Sequence, residues 1–319
     1  MPLRSRSFKQ VDVFTATPFF GNPLAVVLDG AGLDDAAMQR FAQWTHLSET
    51  TFLLPPTDLL ADYRVRIFTP GGELPFAGHP TLGSCHSWLQ AGGTPKSSEF
   101  IVQECKQGLV KIRHEGAGGG QGLAFAAPPL QRAVPSAALL AQVAAALGIQ
   151  AAHIVAAQLL DNGPVWLGLL LDSPETVLQL RPNHLELDNL DVEVGVAGIY
   201  IKESAPPLIS RANRESKAFA QDAQHAQHAQ HPQHPPFSPD LEVRGFAASI
   251  GINEDPVTGS LNASLAQWLM AEGHMPARYF ASQGVCLGRA GEVALARDAT
   301  GQVWVGGQSV TCIDGTVSL

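Results

Sequence analysis

Apolar residues recur at two kinds of spacing along the chain, and these spacings separate predicted strands from predicted helices. Short apolar runs introduced by Asn, Gly and Pro, at 21–29 and 162–172, are typical of strands. Two other segments place apolar residues three and four positions apart for about three turns and stop at glycine, which is typical of helices. Short strands outnumber helices, so the pattern predicts an α+β protein.

The two strongest helical segments have similar apolar stripes. The stripe residues are Leu82, Cys85, Trp88 and Leu89 in the first segment and Leu261, Leu265, Trp268 and Leu269 in the second. Because such a stripe lies on one helix face, we expect both to face the core. Around the first segment, the pattern predicts a helix at 34–45 and strands at 7–15, 24–28, 49–54, 63–68, 101–104 and 109–114. A further helix is predicted after Pro135 and Ser136.

A phrase that occurs twice indicates a duplicated architecture. VRIFTPGGELPFAGHP at 65–80 and VRGFAASIGINEDPVTGS at 243–260 share Val-Arg-x-Phe, a turn-rich stretch and Pro-x-x-Gly. The glycine is followed by His79 or Ser260, either of which can cap a helix. Each copy therefore predicts a glycine turn and a helix N-terminus, whose unpaired N–H groups bind anions. A period this long argues for two similar lobes rather than a repeat array.

These features together predict two pseudo-symmetric lobes, each a central helix wrapped by a curved, mostly antiparallel sheet. The predicted limits are 1–127 plus 307–319 for the N-terminal lobe and 128–306 for the C-terminal lobe. A His/Gln-rich tract at about 218–238 has no apolar face, which predicts a disordered insertion rather than a metal site. The glycine stretch 115–122 lacks the Gly-Lys-Ser/Thr ending of a phosphate loop and predicts a hairpin turn or linker.

Charge and composition narrow the functional classes. The chain has 20 basic and 29 acidic residues, a net charge of −9 and no Lys/Arg cluster, which argues against a nucleic-acid partner. No apolar run approaches the roughly 18 residues that span a bilayer, so no membrane partner is expected. The N-terminus lacks the apolar centre of a signal peptide, and the four cysteines are scattered. We therefore expect a cytoplasmic protein without a metal site.

Four polar residues are candidates either for chemistry or for ordinary structural roles. Glu49 lies in an apolar strand, where desolvation raises a carboxyl pKa and suits a proton carrier, but an exposed strand-end glutamate fits the pattern equally well. Asp255 can be a reactive carboxylate or a turn residue. His79 can donate a hydrogen bond, shuttle a proton or cap its helix. Ser260 is explained as an N-cap residue without a nucleophilic role.

Several ordered motifs resemble one known family. LSETTF at 47–52, TPGGELPFAGHPTLG at 69–83, EDPVTGSLNASLAQWL at 254–269 and GNPLAVV at 21–27 are similar to the PhzF-like isomerases of phenazine biosynthesis. The resemblance spans nearly the whole chain. It implies the diaminopimelate-epimerase fold, an active site between the lobes and a homodimer.

The resemblance also implies roles for individual residues. Glu49 matches the family's acid/base glutamate, and His79 and Asp255, at the first and second glycine turns, complete the implied catalytic set. The implied substrate-binding residues are Gly78, Thr258, Gly259 and Ser260. The implied reaction is a proton transfer that isomerises dihydro-hydroxyanthranilate or another small carboxylate without a cofactor.

Two other functions stay open at the level of the sequence. A non-catalytic protein of the same fold could bind a small carboxylate or recruit a partner protein. The presence of Glu49, His79 and Asp255 together nevertheless favours an enzyme. The related amino-acid epimerases use one cysteine at each helix start, and neither glycine turn of this chain carries one. An epimerase is therefore disfavoured.

Overall fold

The computed structural model describes residues 3–115, 122–201 and 237–319. The strands within them are β1 (Ser5–Val13), β2 (Asn22–Val27), β3 (Glu49–Leu54), β4 (Tyr63–Thr69), β5 (Gly72–Leu74), β6 (Ile101–Cys105), β7 (Gly108–Glu115), β8 (Gly122–Ala126), β9 (Gln131–Ala133), β10 (Ile154–Asp161), β11 (Val165–Leu171), β12 (Glu193–Ile199), β13 (Leu241–Ala247), β14 (Ile252–Asp255), β15 (Arg278–Gln283), β16 (Gly291–Arg297), β17 (Val303–Gly307) and β18 (Ser309–Ser318). The helices are α1 (Asp35–Thr45), α2 (Gly78–Gln90), α3 (Ala137–Leu147), α4 (Pro174–Gln179), α5 (His184–Asn189) and α6 (Gly259–Ala271). Short 3₁₀ helices lie at Ala151–His153, Ala248–Ile250 and Val285–Leu287.

The strands of the described residues form one 18-stranded mixed sheet. Neighbouring strands follow the order β18-β1-β2-β3-β4-β6-β7-β8-β17-β16-β15-β13-β12-β11-β10-β9, with β5 beside β4 and β14 beside β13. The order of parallel and antiparallel pairs is the same whether the sheet is followed from β18 or from β9. The parallel pairs β2/β3 and β4/β6 of one half recur as β11/β12 and β13/β15 in the other. We call the half that ends in β8, with α1 and α2, the first lobe. The half that ends in β17, with α3 to α6, is the second lobe.

The two central helices carry the predicted apolar stripes into the core. Leu82 and Cys85 of α2 are fully buried, as are all four stripe residues of α6. Trp88 and Leu89 are partly buried and pack against the same core. Shorter helices cover the outer faces of the strands, α1 in the first lobe and α3 to α5 in the second. The predicted α+β architecture is confirmed, while the residue limits of the lobes stay a prediction.

Most predicted elements of the first half lie within two residues of their observed limits. The strand predicted at 7–15 instead begins at Ser5 and ends at Val13, because Phe14 adopts a left-handed conformation with φ of 65°. The helix predicted after Ser136 is α3, and the Ser136 side chain caps it by accepting from the N–H of Leu139. Local patterns therefore located the elements well.

The two low-complexity stretches lie partly outside the described residues. Glu115 of β7 pairs with Gly122 of β8, and the hairpin turn or linker predicted for the glycine stretch falls on residues 116–121, which lie outside the described residues. The His/Gln-rich tract at 221–236 also lies outside the described residues. Across the part of the chain that is described, none of the helices has the length and apolar character needed to cross a bilayer.

The predicted caps of the central helices are wrong. Helix α2 begins at Gly78 and α6 at Gly259, so the N-cap residues are Ala77 and Thr258, and neither caps its helix with a side-chain hydrogen bond. His79 and Ser260 lie inside the first turns, and their side chains contact Glu49 and Trp166. The first N–H groups of both helices are thereby left for another acceptor.

Each copy of the Val-Arg-x-Phe phrase forms the same ion pair. Arg66 donates two hydrogen bonds to Glu73 at 2.7 and 2.9 Å, and Arg244 donates two to Glu254 at 2.9 and 2.8 Å. Each guanidinium also lies 5.0 Å from the ring of the phenylalanine two residues on. The second pair is more deeply buried, with side chains 5% and 8% exposed against 21% and 20% in the first.

The lobes touch where the two central helices begin. A Cβ atom placed on Gly78 would lie 2.7 Å from the Cα of Gly259, and a Cβ on Gly259 would lie 2.7 Å from the Cα of Gly78. Real Cβ atoms essentially never approach another atom so closely. Only glycine at both positions lets the helix N-termini meet backbone to backbone.

Replacing Gly78 with alanine should therefore destabilise the folded protein by about 1–3 kcal/mol, because the added methyl group overpacks the contact between the lobes. Urea denaturation measures this free energy of unfolding. Gly72→Ala is the matched control, since its Cβ would meet nothing within 4 Å. Equal effects of the two substitutions would contradict the proposed contact.

Glu254→Gln should destabilise the protein by about 3–5 kcal/mol, because it leaves the buried Arg244 guanidinium without a counter-charge. The equivalent Glu73→Gln should cost about 1 kcal/mol, since Arg66 is more exposed and keeps its 2.6 Å bond to Asp35. Urea unfolding of both variants makes the comparison. A larger loss of unfolding free energy for Glu73→Gln would show that burial does not determine how much the broken ion pair destabilises the protein.

Candidate active site

The first residue of β3 faces the central helix of its lobe. Thr51 lies on that face and accepts a hydrogen bond from Ser84 of α2, whereas Phe52 packs against α1 on the other face. Alternation along the strand therefore points Glu49 towards α2. Its side chain is only 12% exposed, and its Oε2 lies 3.3 Å from Nε2 of His79. The alternative of an exposed strand-end glutamate is wrong.

The second residue of α2 supplies a neutral imidazole beside this carboxyl group. His79 is buried, and its Nδ1 lies 3.3 Å from the side-chain nitrogen of Asn22. An amide nitrogen only donates, so Nδ1 carries no proton beside it and the ring proton is on Nε2, on the side of Glu49. Burial lowers the pKa of His79 to about 3, which keeps the ring neutral.

A second carboxyl group comes from the second lobe. Asp255 is the last residue of β14 and is buried. Its Oδ1 accepts from the Asn22 side chain at 2.9 Å, and its Oδ2 accepts from the Thr258 hydroxyl at 2.6 Å. Burial raises the pKa of Asp255, and these two neutral donors lower it only in part.

The two carboxyl groups act on each other's protonation. Burial, followed by the negative charge of Asp255, raises the pKa of Glu49 to about 8, while a hydrogen bond from Ser48 lowers it. No Lys or Arg side chain within the described residues forms an ion pair with either carboxyl group. Glu49 is therefore able to hold and to release a proton near neutral pH.

The predicted substrate-binding residues surround the contact between the helices. Gly78 and Gly259 begin α2 and α6, and Thr258 precedes Gly259. Ser260 is buried, and its Oγ accepts from the indole nitrogen of Trp166 at 3.3 Å. Helix N-termini carry partial positive charge and free N–H donors, so an anion bound here would be stabilised from both lobes. We call these residues, with Glu49, His79 and Asp255, the interlobe site.

Sequence reasoning missed the residue that joins the two lobes at this site. Asn22 starts β2 of the first lobe, and its side chain donates to Asp255 and to the carbonyl oxygen of Val257 in the second, both at 2.9 Å. The only signal was its place in the GNPLAVV motif, which gave it no role. Gln283 was missed as well, although it accepts from the N–H of Thr258 at 3.0 Å and donates to the carbonyl oxygen of Asp255.

The donor set of the site suits proton transfer beside a bound anion. A buried carboxyl group with a raised pKa adjoins a neutral N–H donor and two helix N-termini. Among residues 3–115, 122–201 and 237–319, no group of three or more His, Cys, Asp or Glu side chains is arranged to hold a metal ion. The catalytic and binding roles of the individual residues stay predictions.

A family model described as phenazine biosynthesis-like protein, PhzC-PhzF, matches residues 11–315. The chain belongs to this family. The resemblance drawn from the sequence motifs is confirmed, and because named members of the family are isomerases, the predicted enzyme class is confirmed at the level of the family.

Two relatives show how the similarity is distributed. The chain is 34% identical to antisense-enhancing sequence 1 of Schizosaccharomyces pombe, over 98% of this chain and 99% of that protein. It is also 34% identical to trans-2,3-dihydro-3-hydroxyanthranilate isomerase of Pseudomonas fluorescens, over 56% of this chain and 62% of that enzyme. The match to the named isomerase is therefore partial in length.

A solved structure with low sequence identity to this chain has the same fold. A Bacillus anthracis phenazine biosynthesis protein of the PhzF family superposes with a TM-score of 0.76 at 20% identity, covering 99% of this chain and 100% of that one. At this identity, the comparison concerns the fold alone. It agrees with the two pseudo-symmetric lobes described above.

Glu49→Gln should change how stability depends on pH. The unfolded chain releases the Glu49 proton near the ordinary pKa of 4.5, whereas the folded protein retains it up to about pH 8. The stabilisation from this proton is full below pH 4.5 and is lost as the pH rises towards 8. Glutamine does not titrate, so the variant should gain at least about 1 kcal/mol relative to the parent protein between pH 5 and pH 8.

Urea denaturation of both proteins at the two pH values measures the difference. Titrating groups other than Asp255, whose protonation is linked to that of Glu49, are shared by both proteins and cancel in the comparison. Glu99→Gln, at an exposed loop position, is the control and should show no such trend. A stability difference between Glu49→Gln and the parent that stays constant with pH would contradict a raised pKa at Glu49.

Proposed function

We propose that this protein is an isomerase that moves a proton between two carbon atoms of a small carboxylate, without a cofactor and with Glu49 as the general acid/base. The supporting observation is the buried Glu49 carboxyl group, with a pKa raised to about 8, beside the paired helix N-termini. An acid/base group is most effective when its pKa lies near the working pH. The substrate resembles dihydro-hydroxyanthranilate or is another small carboxylate.

The proposed reaction divides the work between the lobes. The substrate carboxylate accepts hydrogen bonds from the N–H groups near Gly78 and Gly259, which stabilise the charge that develops during the reaction. The ionised Glu49 takes a proton from one carbon, and the electrons of that C–H bond move into the conjugated system of the substrate. The resulting carboxylic acid then delivers the proton to a second carbon and is regenerated as carboxylate.

The neighbours of Glu49 have supporting roles in this proposal. The Nε2–H of His79 faces the Glu49 carboxyl group and orients it without adding charge. Asp255 raises the pKa of Glu49 and so strengthens it as a base. Thr258 and Ser260 line the second helix start. Because these groups are buried, the lobes must part to admit the substrate, and their closure excludes water.

A non-catalytic binding or protein-interaction role is the second candidate. The Schizosaccharomyces pombe relative, whose name denotes no reaction, matches nearly the whole chain, whereas the named isomerase matches about half. An epimerase that uses two cysteines is less well supported, since Cys85 lies well inside α2 and the glycine turns hold no cysteine. Homodimerisation and a cytoplasmic location are further proposals from the family resemblance, and light scattering tests the first.

Proton-transfer catalysis should introduce deuterium into substrate carbon in deuterated water. The protein is incubated with trans-2,3-dihydro-3-hydroxyanthranilate and with a panel of small amino and hydroxy acids, and proton NMR follows the exchange. Glu49→Gln should reduce the exchange at least about 100-fold, because glutamine cannot accept the proton. Glu99→Gln should leave it unchanged.

Circular dichroism confirms that the variants are folded. Exchange that persists in folded Glu49→Gln would remove this residue from its assigned role. The absence of exchange with every compound, together with measurable binding of a carboxylate, would support the non-catalytic alternative.

A further inference from the structure

The strand pairing assigns Glu49 a counterpart in the second lobe. In the first lobe, Leu24 of β2 pairs in parallel register with Glu49, the first residue of β3. In the second lobe, Trp166 of β11 pairs in the same way with Glu193, the first residue of β12. The next strands agree, because the residue after each glutamate pairs with the phenylalanine of Val-Arg-x-Phe. Glu193 therefore occupies the position of Glu49 in the duplicated lobe.

Glu193 also faces its own central helix. Val194 packs in the outer cluster with α3 to α5, whereas a Cβ on Gly195 would meet the side chain of Leu261 in α6. Alternation along β12 places Glu193 on the α6 side, beside Trp166. The Trp166 indole nitrogen donates to Ser260 of the interlobe site. Glu193 therefore lies at the edge of that site.

Unlike Glu49, Glu193 has no side-chain partner among the described residues. Glu49 adjoins the His79 imidazole, and Asp255 accepts from Asn22 and Thr258. The side-chain carboxyl group of Glu193 has no hydrogen bond and no ion pair with any residue of the described ranges. The position of His79 is taken in the second lobe by Ser260, which instead accepts from Trp166.

The interlobe site therefore holds an excess of carboxyl groups. Glu49, Asp255 and Glu193 lack a Lys or Arg partner among the described residues. Burial, followed by the negative charge of Asp255, raises the pKa of Glu193 to about 7. Unpaired charge in a partly desolvated site is unfavourable, so a bound cation would be stabilised. The Nε2 of His79 and the Oε2 of Glu49, which lie 3.3 Å apart, are both buried without a hydrogen bond.

We propose that Glu193 is the specificity-determining residue that binds an ammonium group of the substrate. This inference rests on the proposed function and names the residue that recognises the ammonium group of an amino-acid substrate such as dihydro-hydroxyanthranilate. The carboxylate of such a substrate meets the helix N-termini at Gly78 and Gly259, and its ammonium group donates to the unpaired Glu193 carboxylate. Hydroxy acids and dicarboxylates lack the cation and would leave that acceptor empty.

Two matched ligands test this assignment without requiring turnover. Calorimetry compares the binding of trans-2-aminocyclohexanecarboxylate with that of cyclohexanecarboxylate, which differs only by the ammonium group. The full-length protein should prefer the amino compound by about tenfold or more, as expected for a hydrogen bond between charged groups. Glu193→Gln should remove the preference while leaving the affinity for cyclohexanecarboxylate unchanged. Glu186→Gln, which removes an exposed carboxylate on α5, should behave like the parent protein.

The outcomes separate this inference from the proposed function. A parent protein that binds the amino compound no better than its analogue would overturn the role of Glu193, even if deuterium exchange occurs. A preference that survives in Glu193→Gln would also overturn it. Loss of the preference in Glu193→Gln supports the inference, whether or not the Glu49→Gln exchange experiment succeeds. For a substrate that is turned over, the substitution should raise KM more than it lowers kcat.

Discussion

The structure depends on a contact between two helix N-termini that meet backbone to backbone. Gly78 and Gly259 approach so closely that neither position has room for a methyl group. The contact also brings together two partial positive charges and two sets of N–H groups without helical partners. In the absence of an anion this arrangement is unfavourable, and a bound carboxylate would relieve it from both sides. The same contact that joins the lobes therefore forms the proposed anion site.

Neutral groups, rather than cations, surround the carboxyl groups beside this contact. Asn22, His79 and Thr258 all donate hydrogen bonds or lie within reach without adding positive charge. Because no cation among the described residues pairs with these groups and the neutral donors offset burial only in part, the pKa values of Glu49 and Asp255 rise. Asn22 has a particular place here, since it belongs to one lobe and binds the carboxylate of the other.

The two lobes have matching strand pairing but different side chains at the interlobe site. The ion pairs of the Val-Arg-x-Phe phrase recur in both lobes, where they link β4 to β5 and β13 to β14. The residues that face the site differ, as His79 corresponds to Ser260 and Leu24 to Trp166. The first lobe therefore pairs its glutamate with an imidazole, while the glutamate of the second lobe stays unpaired. One symmetric frame thus contributes two chemically different halves to the interlobe site.

The sequence by itself determined the elements, the core stripes, the duplication and the strand on which Glu49 lies, because all of these follow from local periodicity and repeated motifs. The helix caps were mispredicted, because α2 and α6 already begin at Gly78 and Gly259, and the side chains of His79 and Ser260 make tertiary contacts with Glu49 and Trp166. Only the tertiary structure decided the bond between Asn22 and Asp255, which joins residues 233 positions apart, and the burial that raises the pKa of Glu49. Such contacts form when lobes pack, and no local pattern carries that information.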